Sequence, residues 1–121
     1  AACPSAPTSS EIKNCEDVPD DAGYLYLLYR IEYAMEGARI IFCPFTATKD
    51  IEDPAILIEK DITIGCAGKN QCVISGPGSH IEAGTKKAKL SVVGFTFTGA
   101  TTTAVSIGKS SSVNEHAICH P

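Results

Sequence analysis

Residues 61–76 read DITIGCAGKNQCVISG, and their texture decides the fold class. Two short β-branched runs, DITIGC (61–66) and CVISG (72–76), are joined by the turn-like AGKNQ. Further runs follow the same pattern on both sides: ARIIFC (38–43), AILIEK (55–60), HIEAG (80–84), KLSVVGFTFTG (89–99) and AVSIG (104–108). Each is long enough for a short strand, and the later gaps are too short for helical crossovers.

The runs overlay one another. IIFC at 40–43, TIGC at 63–66, VVGF at 92–95 and AICH at 117–120 share an apolar–small–aromatic or Cys texture, and CVISG at 72–76 is similar to AVSIG at 104–108. An irregular repeat of this length fits one turn of a parallel β-solenoid with three short strands per coil. A single coil cannot bury its own apolar residues. A second coil stacked at about 4.8 Å hides them and pairs the backbone. Ile62, Ile64, Val73 and Val92 are expected inside. A β-sandwich or roll with a packed helix is the rival arrangement.

Residues 22–36, AGYLYLLYRIEYAME, differ in texture. Leu25, Leu28, Glu32 and Met35 fall near one helical face, which Tyr24, Tyr26 and Ile31 broaden. Asp20 or Asp21 is the candidate N-cap and Gly37 the candidate residue past the C-cap. YLYLLY is also rich in strand formers, but the segment is long for a strand. As a helix it would cover the apolar end of the first coil. The domain plan is therefore an irregular Cys-containing arm at 1–21, a capping helix at 22–37 and parallel coils at 38–121. Ser9-Ser10-Glu11 is positioned to start a short helical turn within the arm.

This order of helix and runs resembles the N-terminal part of right-handed parallel β-helix proteins of the pectate-lyase-like superfamily. The phrases ITIGCAGKNQCVISGPG and LSVVGFTFTGATTTAVSI are most similar to the secreted β-helix proteins of diatoms and related algae. The resemblance covers roughly residues 22–112. It implies an all-β, right-handed parallel β-helix with an N-terminal capping helix. Enzymes of this superfamily act on polysaccharides with an acidic calcium cluster and a basic residue, or with grouped carboxylates.

No residue matches such a catalytic pattern, so no catalytic, cofactor-binding or metal-ligating residue is nominated. Asp50, Glu52 and Asp53 precede Pro54 and read as a soluble turn; Glu59, Asp61, Glu82 and Glu115 are scattered. Lys86, Lys87, Lys89 and Arg39 lie in no lyase motif. Gly76-Pro77-Gly78 lacks the Lys and following helix of a phosphate loop. His116 and His120 overlay a strand, which would separate them by roughly 13 Å.

The chain has 121 residues, one domain by length, with net charge −4 and 44% hydrophobic residues. The charge disfavours a nucleic-acid groove. No stretch reaches the roughly 18 apolar residues of a membrane span. The chain opens Ala1-Ala2-Cys3 without an initiator Met, as a product of cleavage after a small-residue site would, and contains no signal peptide pattern.

Six cysteines, Cys3, Cys15, Cys43, Cys66, Cys72 and Cys119, without a Cys-x-x-Cys pair, favour disulfides and an oxidising compartment: secreted, cell-surface or organelle-lumenal. A Cys66–Cys72 bridge would close a corner loop. Cys43 and Cys66 match in the overlay, so stacked pairing competes with it. Cys119 is free to bridge internally or to another chain.

Three functions follow. The first is a noncatalytic structural or interaction module, docking as a solenoid subunit on a larger assembly or self-associating. AICH begins another coil there, and Ile118 is the docking candidate. The second is carbohydrate binding, as a module or as a fragment of a polysaccharide-active enzyme; coplanar exposed rings along one face would favour it. The third is ice binding through Thr46, Thr48, Thr63, Thr96, Thr98 and Thr101–Thr103. Against it, the matching segments carry Ile, Glu or Val where TxT should recur.

Overall fold

The structure, a computed structural model, describes residues 5–83 and 88–106 and the backbone of Ile107 and of strand 116–119. Within them the chain forms helix α1 (Ser9–Lys13), helix α2 (Gly23–Glu32) and strands β1 (Ala38–Phe42), β2 (Phe45–Thr48), β3 (Ile56–Ile58), β4 (Ile62–Cys66), β5 (Cys72–Ser75), β6 (Ile81–Ala83), β7 (Leu90–Val93), β8 (Phe95–Thr98), β9 (Val105–Ile107) and β10 (His116–Cys119). All strand pairs are parallel. Sheet A runs β1-β4-β7-β10, sheet B β2-β5-β8 and sheet C β3-β6-β9. This is a right-handed parallel β-helix with three sheets and an N-terminal helix. No antiparallel hairpin joins β4 to β5. They belong to different sheets of one coil.

Each strand alternates inward apolar and outward polar side chains, as period-2 geometry requires. Phe45 and Ala47 are buried while Thr46 and Thr48 are exposed; Ile56 and Ile58 are buried while Leu57 is exposed. Ile40, Ile64 and Val92 stack in one interior file of sheet A. Phe42, Phe45 and Phe95 meet edge to face at 5.7–6.3 Å between centroids, filling the corner between sheets A and B. Gly94 turns that corner with φ +78°, a conformation that disfavours any residue with a Cβ.

The register corrects the sequence overlay. Ile40 pairs with Ile64, Ile64 with Val92 and Val92 with Ile118, giving coils of 24, 28 and 26 residues. Aligning Ile40 with Thr63 is one residue out, and a one-residue slip would turn Thr63 and Gly65 inward. CVISG and AVSIG are not equivalent either: β5 stacks under FTFT of β8 in sheet B, and β9 lies in sheet C. Within β5 the inward residues are Cys72 and Ile74, so Val73 faces outward, whereas Ile62, Ile64 and Val92 are interior as expected.

Helix α2 lies over the first coil, but with a different face from the expected one. Tyr24, Leu27, Leu28 and Ile31 are buried, while Leu25 and Met35 are exposed. The helix ends at Glu32, so Met35 lies beyond it, and spacing i, i+3, i+4, i+7 directs the other residues inward. The N-cap is Ala22, with no side-chain cap from Asp20 or Asp21. The C-terminal end is held instead by Lys60, whose Nζ donates to the carbonyls of Glu32 and Ala34. Glu32 Oε2 accepts from Leu57 N–H, supplying an acceptor to the otherwise open edge of β3.

The arm covers the edge of β1. Glu16 N–H donates to Ile41 O, and Cys43 N–H donates to Glu16 O. α1 is a single turn with a capping box: Glu11 N–H donates to Thr8 Oγ1, and Thr8 N–H donates to Glu11 Oε1. Cys15 is bonded to Cys43, Cα atoms 5.0 Å apart, which rules out a Cys43–Cys66 pair. Cys66 is bonded to Cys72 at 5.7 Å. Cys72 sits in the core file between Phe45 and Phe95, so this bridge is also a packing element. Cys3 and the side chain of Cys119 lie outside the described residues.

Candidate functional site

The two ends of the stack are built differently. The first coil is sealed by α2 and the arm. At the other end, sheet A gains a fourth strand in β10, while sheets B and C stop at β8 and β9 among the described residues. Burial registers the difference. In sheet B the inward file runs Ala47, Ile74, Phe97, and in sheet C it runs Ile56, Ile81, Val105. The first two members of each file are fully buried, whereas Phe97 and Val105 are only partly buried. These two core-type side chains sit on β8 and β9, the last strands of sheets B and C among the described residues. The side chain of Ile118 lies outside the described residues; its backbone pairs with Val92.

Beneath β8 and β9 the corner between sheets B and C holds two buried polar side chains that the sequence did not flag. Lys49 Nζ donates to the carbonyls of Asp50 and Pro77. His80 Nε2 lies 2.8 Å from Gly76 O; a carbonyl only accepts, so Nε2 carries the hydrogen. His80 Nδ1 is buried without a partner among the described residues, and the ring tilts against Phe97 at 5.9 Å. The Gly76-Pro77-Gly78 turn thus serves as the acceptor wall for these two groups.

The acidic residues do not converge. Asp53 Oδ2 accepts from Asp50 N–H and closes its own turn. Asp61 Oδ1 accepts from Lys89 N–H at a different corner, and Glu82 points outward on sheet C. Among the described residues no three His, Cys, Asp or Glu side chains are grouped to hold a metal ion. Lys86, Lys87, Glu115, His120 and the side chain of His116 lie outside the described residues. No helix among them is long and apolar enough to cross a membrane.

A polar recess of about 290 Å³ lies between the arm and sheet A, lined by Glu11, Glu16, Arg30 and Arg39. Its charges are already matched. Arg39 Nε contacts Glu11 at 2.7 Å, and Arg30 Nε contacts Glu16 at 2.9 Å. The Arg39 guanidinium and the Thr8 amide hold the Glu11 carboxyl down at about 2. Tyr26 donates to Glu16; burial first, then that carboxylate, push its phenol up to about 12. Burial also raises Tyr24, whose hydroxyl donates to Pro54 O at 2.6 Å. These groups fasten the arm and the helix to the coils.

The outer face of sheet B corrects one sequence expectation in part. The register stacks Thr46, Val73 and Thr96 in one outward file and Thr48, Ser75 and Thr98 in the next. The segments matching TFT are therefore TAT and VIS: TxT recurs in the first rung, and Val73 interrupts it in the second, as expected of Val. Thr63 belongs to sheet A, paired with Arg39 and Ser91. The Thr48 and Ser75 hydroxyls lie 3.3 Å apart, and Thr96 Oγ1 donates to Asn70 O.

Comparison with protein families, with curated proteins and with solved structures finds no match. The architecture is a three-sheet parallel β-solenoid with two disulfides among the described residues, a bond type suited to extracellular or lumenal surroundings.

Proposed function

We propose that the chain is a noncatalytic docking module of a secreted, cell-surface or lumenal assembly, attached through the β8–β9 end of its stack. The observation that carries this reading is the incomplete burial of Phe97 and Val105 above fully buried file-mates. Strand edges and core side chains at the end of a solenoid are completed by further strands. A second copy cannot add head to tail, because α2 and the arm occupy the opposite end. Isolated copies therefore meet end to end through β8 and β9, in a closed two-fold dimer. The resemblance of the repeat phrases to pectate-lyase-like β-helix proteins of diatoms supports a secreted origin and supplies no catalytic residue.

The test is sedimentation velocity over a wide concentration range. The wild type is expected to associate, and Val105→Glu and Phe97→Glu to weaken that association while the circular dichroism spectrum is retained. Leu57→Glu, on the outer face of sheet C, leaves it unchanged. A wild type that stays monomeric, or association indifferent to Val105→Glu and Phe97→Glu, overturns the reading.

A second reading is favoured by the outward files of sheet B, one with a hydroxyl on every rung (Thr48, Ser75, Thr98) and one with Val73 between Thr46 and Thr96. Three rungs at about 4.8 Å form a flat, regularly spaced array of hydroxyls and methyls about 10 Å across, a template able to order surface water into ice. It requires measurable inhibition of ice recrystallisation that Thr96→Tyr abolishes. No inhibition by the folded wild type removes this reading.

A further inference from the structure

The solvent face of α2 carries a stripe that the buried face does not explain. Leu25, Tyr29 and Tyr33 recur every four residues, and Met35 follows just past the helix. Their exposures are 44%, 57%, 81% and 82%. The rings of Tyr29 and Tyr33 are nearly parallel, 12° between planes and 6.2 Å between centroids. An offset pair of this kind leaves ring faces open to solvent.

The platform beneath them is fixed. Tyr24, Leu27, Leu28 and Ile31 anchor the inner face, Tyr24 is hydrogen-bonded to Pro54 O, and Lys60 clamps the helix end. Two of the four tyrosines have structural work, Tyr24 on Pro54 and Tyr26 on Glu16. Among the described residues, the Tyr29 and Tyr33 hydroxyls have no hydrogen-bond partner.

We propose that this stripe is a stacking platform for a neutral oligosaccharide. The C–H face of a pyranose packs on an exposed aromatic ring, and its hydroxyls reach the phenols and nearby carboxylates. Glu32 and Glu36 each commit one oxygen to a backbone N–H, of Leu57 and Asp61, leaving the other oxygen to accept from a sugar hydroxyl. Those carboxylates and the net charge of −4 repel an acidic glycan and admit a neutral one. Four side chains, two on a short helix and two just past its end, fall below the roughly 800 Å² per partner of a stable protein interface, which disfavours a second copy as the occupant. The platform lies at the sealed end of the stack, so it is independent of docking through β8 and β9.

The probe is the neutral β-1,4-linked glucose hexamer cellohexaose, with a galacturonic acid hexamer as acidic comparator. The chain has no Trp and four Tyr, so tyrosine fluorescence reads the platform against only Tyr24 and Tyr26, and NMR shifts localise the change. Cellohexaose is expected to give a saturable change, and the acidic hexamer to bind at least about tenfold more weakly. Tyr29→Ala and Tyr33→Ala each lower affinity about tenfold, whereas Tyr29→Phe and Tyr33→Phe stay within about twofold. All four variants keep the wild-type melting temperature, because the rings are exposed. Three results overturn the proposal: no saturable response from the folded wild type, a response that survives the double alanine variant, or a Tyr-dependent change that proves by sedimentation to be self-association. Val105→Glu does not alter sugar binding, so failure here and failure of the docking reading are separable.

Discussion

Replacing Ile64 by Ala tests the register where it is most constrained. Ile64 is fully buried in the second rung of sheet A, between Ile40 below and Val92 above. The change removes three carbons, about 2.4 kcal/mol of transfer free energy at ~0.8 kcal/mol each. A cavity contribution adds to this, because the parallel ladder holds neighbouring rungs about 4.8 Å apart and prevents Ile40 and Val92 from closing the gap. The expected loss is therefore about 3–4 kcal/mol, inside the range of roughly 2–5 kcal/mol for such substitutions. With a urea m-value near 2 kcal/mol/M, the midpoint falls by about 1.5–2 M at unchanged m. Val73→Ala is the matched control, since Val73 points outward from the same coil; it costs less than about 1 kcal/mol. A loss below about 0.5 kcal/mol for Ile64→Ala, or a larger loss for Val73→Ala, would refute the register.

The two disulfides differ in the loop they close, with sequence separations of 28 for Cys15–Cys43 and 6 for Cys66–Cys72. Loop entropy alone makes them worth about 3.6 and about 2.4 kcal/mol, so denaturation of paired Cys→Ala variants should rank them in that order unless the core position of Cys72 dominates the shorter one; equal, negligible losses would contradict both pairings. Gly76→Ala places a Cβ against the Lys49 carbonyl at φ +116° and should lower the melting temperature far more than Gly37→Ala, where φ is also positive but no atom lies within 4 Å; the reverse order would contradict the packing of that corner. Glu11 is depressed from 4.5 to about 2, so its contribution to fastening the arm is complete above 4.5 and disappears as pH falls towards 2. An NMR titration should find that midpoint and, in Arg39→Ala, an upward move; a Glu11 midpoint near 4.5 in the wild type would dismiss the Arg39 contact.

The strand runs were legible because each alternates apolar and polar residues between Gly, Asn and Ser corners, and one-sided burial leaves such segments little choice. The register was not, because matching Cys43 with Cys66 is chemically attractive and shifts the stack by one residue. Cys43 lies past the end of β1 and is taken by Cys15, a partner that arm composition could not reveal. Likewise, CVISG and AVSIG are alike in texture while three-dimensional order places them in different sheets. The helix was legible as a helix, but apolar residues lie on both its faces, and packing on the first coil selects Tyr24, Leu27, Leu28 and Ile31 over Leu25 and Tyr29. That two-sidedness hid the Tyr29–Tyr33 stripe. Lys49 and His80 were unreadable as interior residues because their acceptors are backbone carbonyls, those of Asp50 and Pro77 for Lys49 and of Gly76 for His80, which composition does not reveal.

Native-state hydrogen exchange, read rung by rung in dilute and in concentrated protein, tests docking through β8 and β9 most directly. The middle rung, β4 to β6, is expected to be protected at every concentration. The outward-directed amides of β8 and β9 should exchange quickly in dilute monomer and gain protection on association, and Val105→Glu should cancel that gain. Amides of β8 and β9 as slow in the dilute monomer as those of β5 and β6, with no change on concentration, would contradict it.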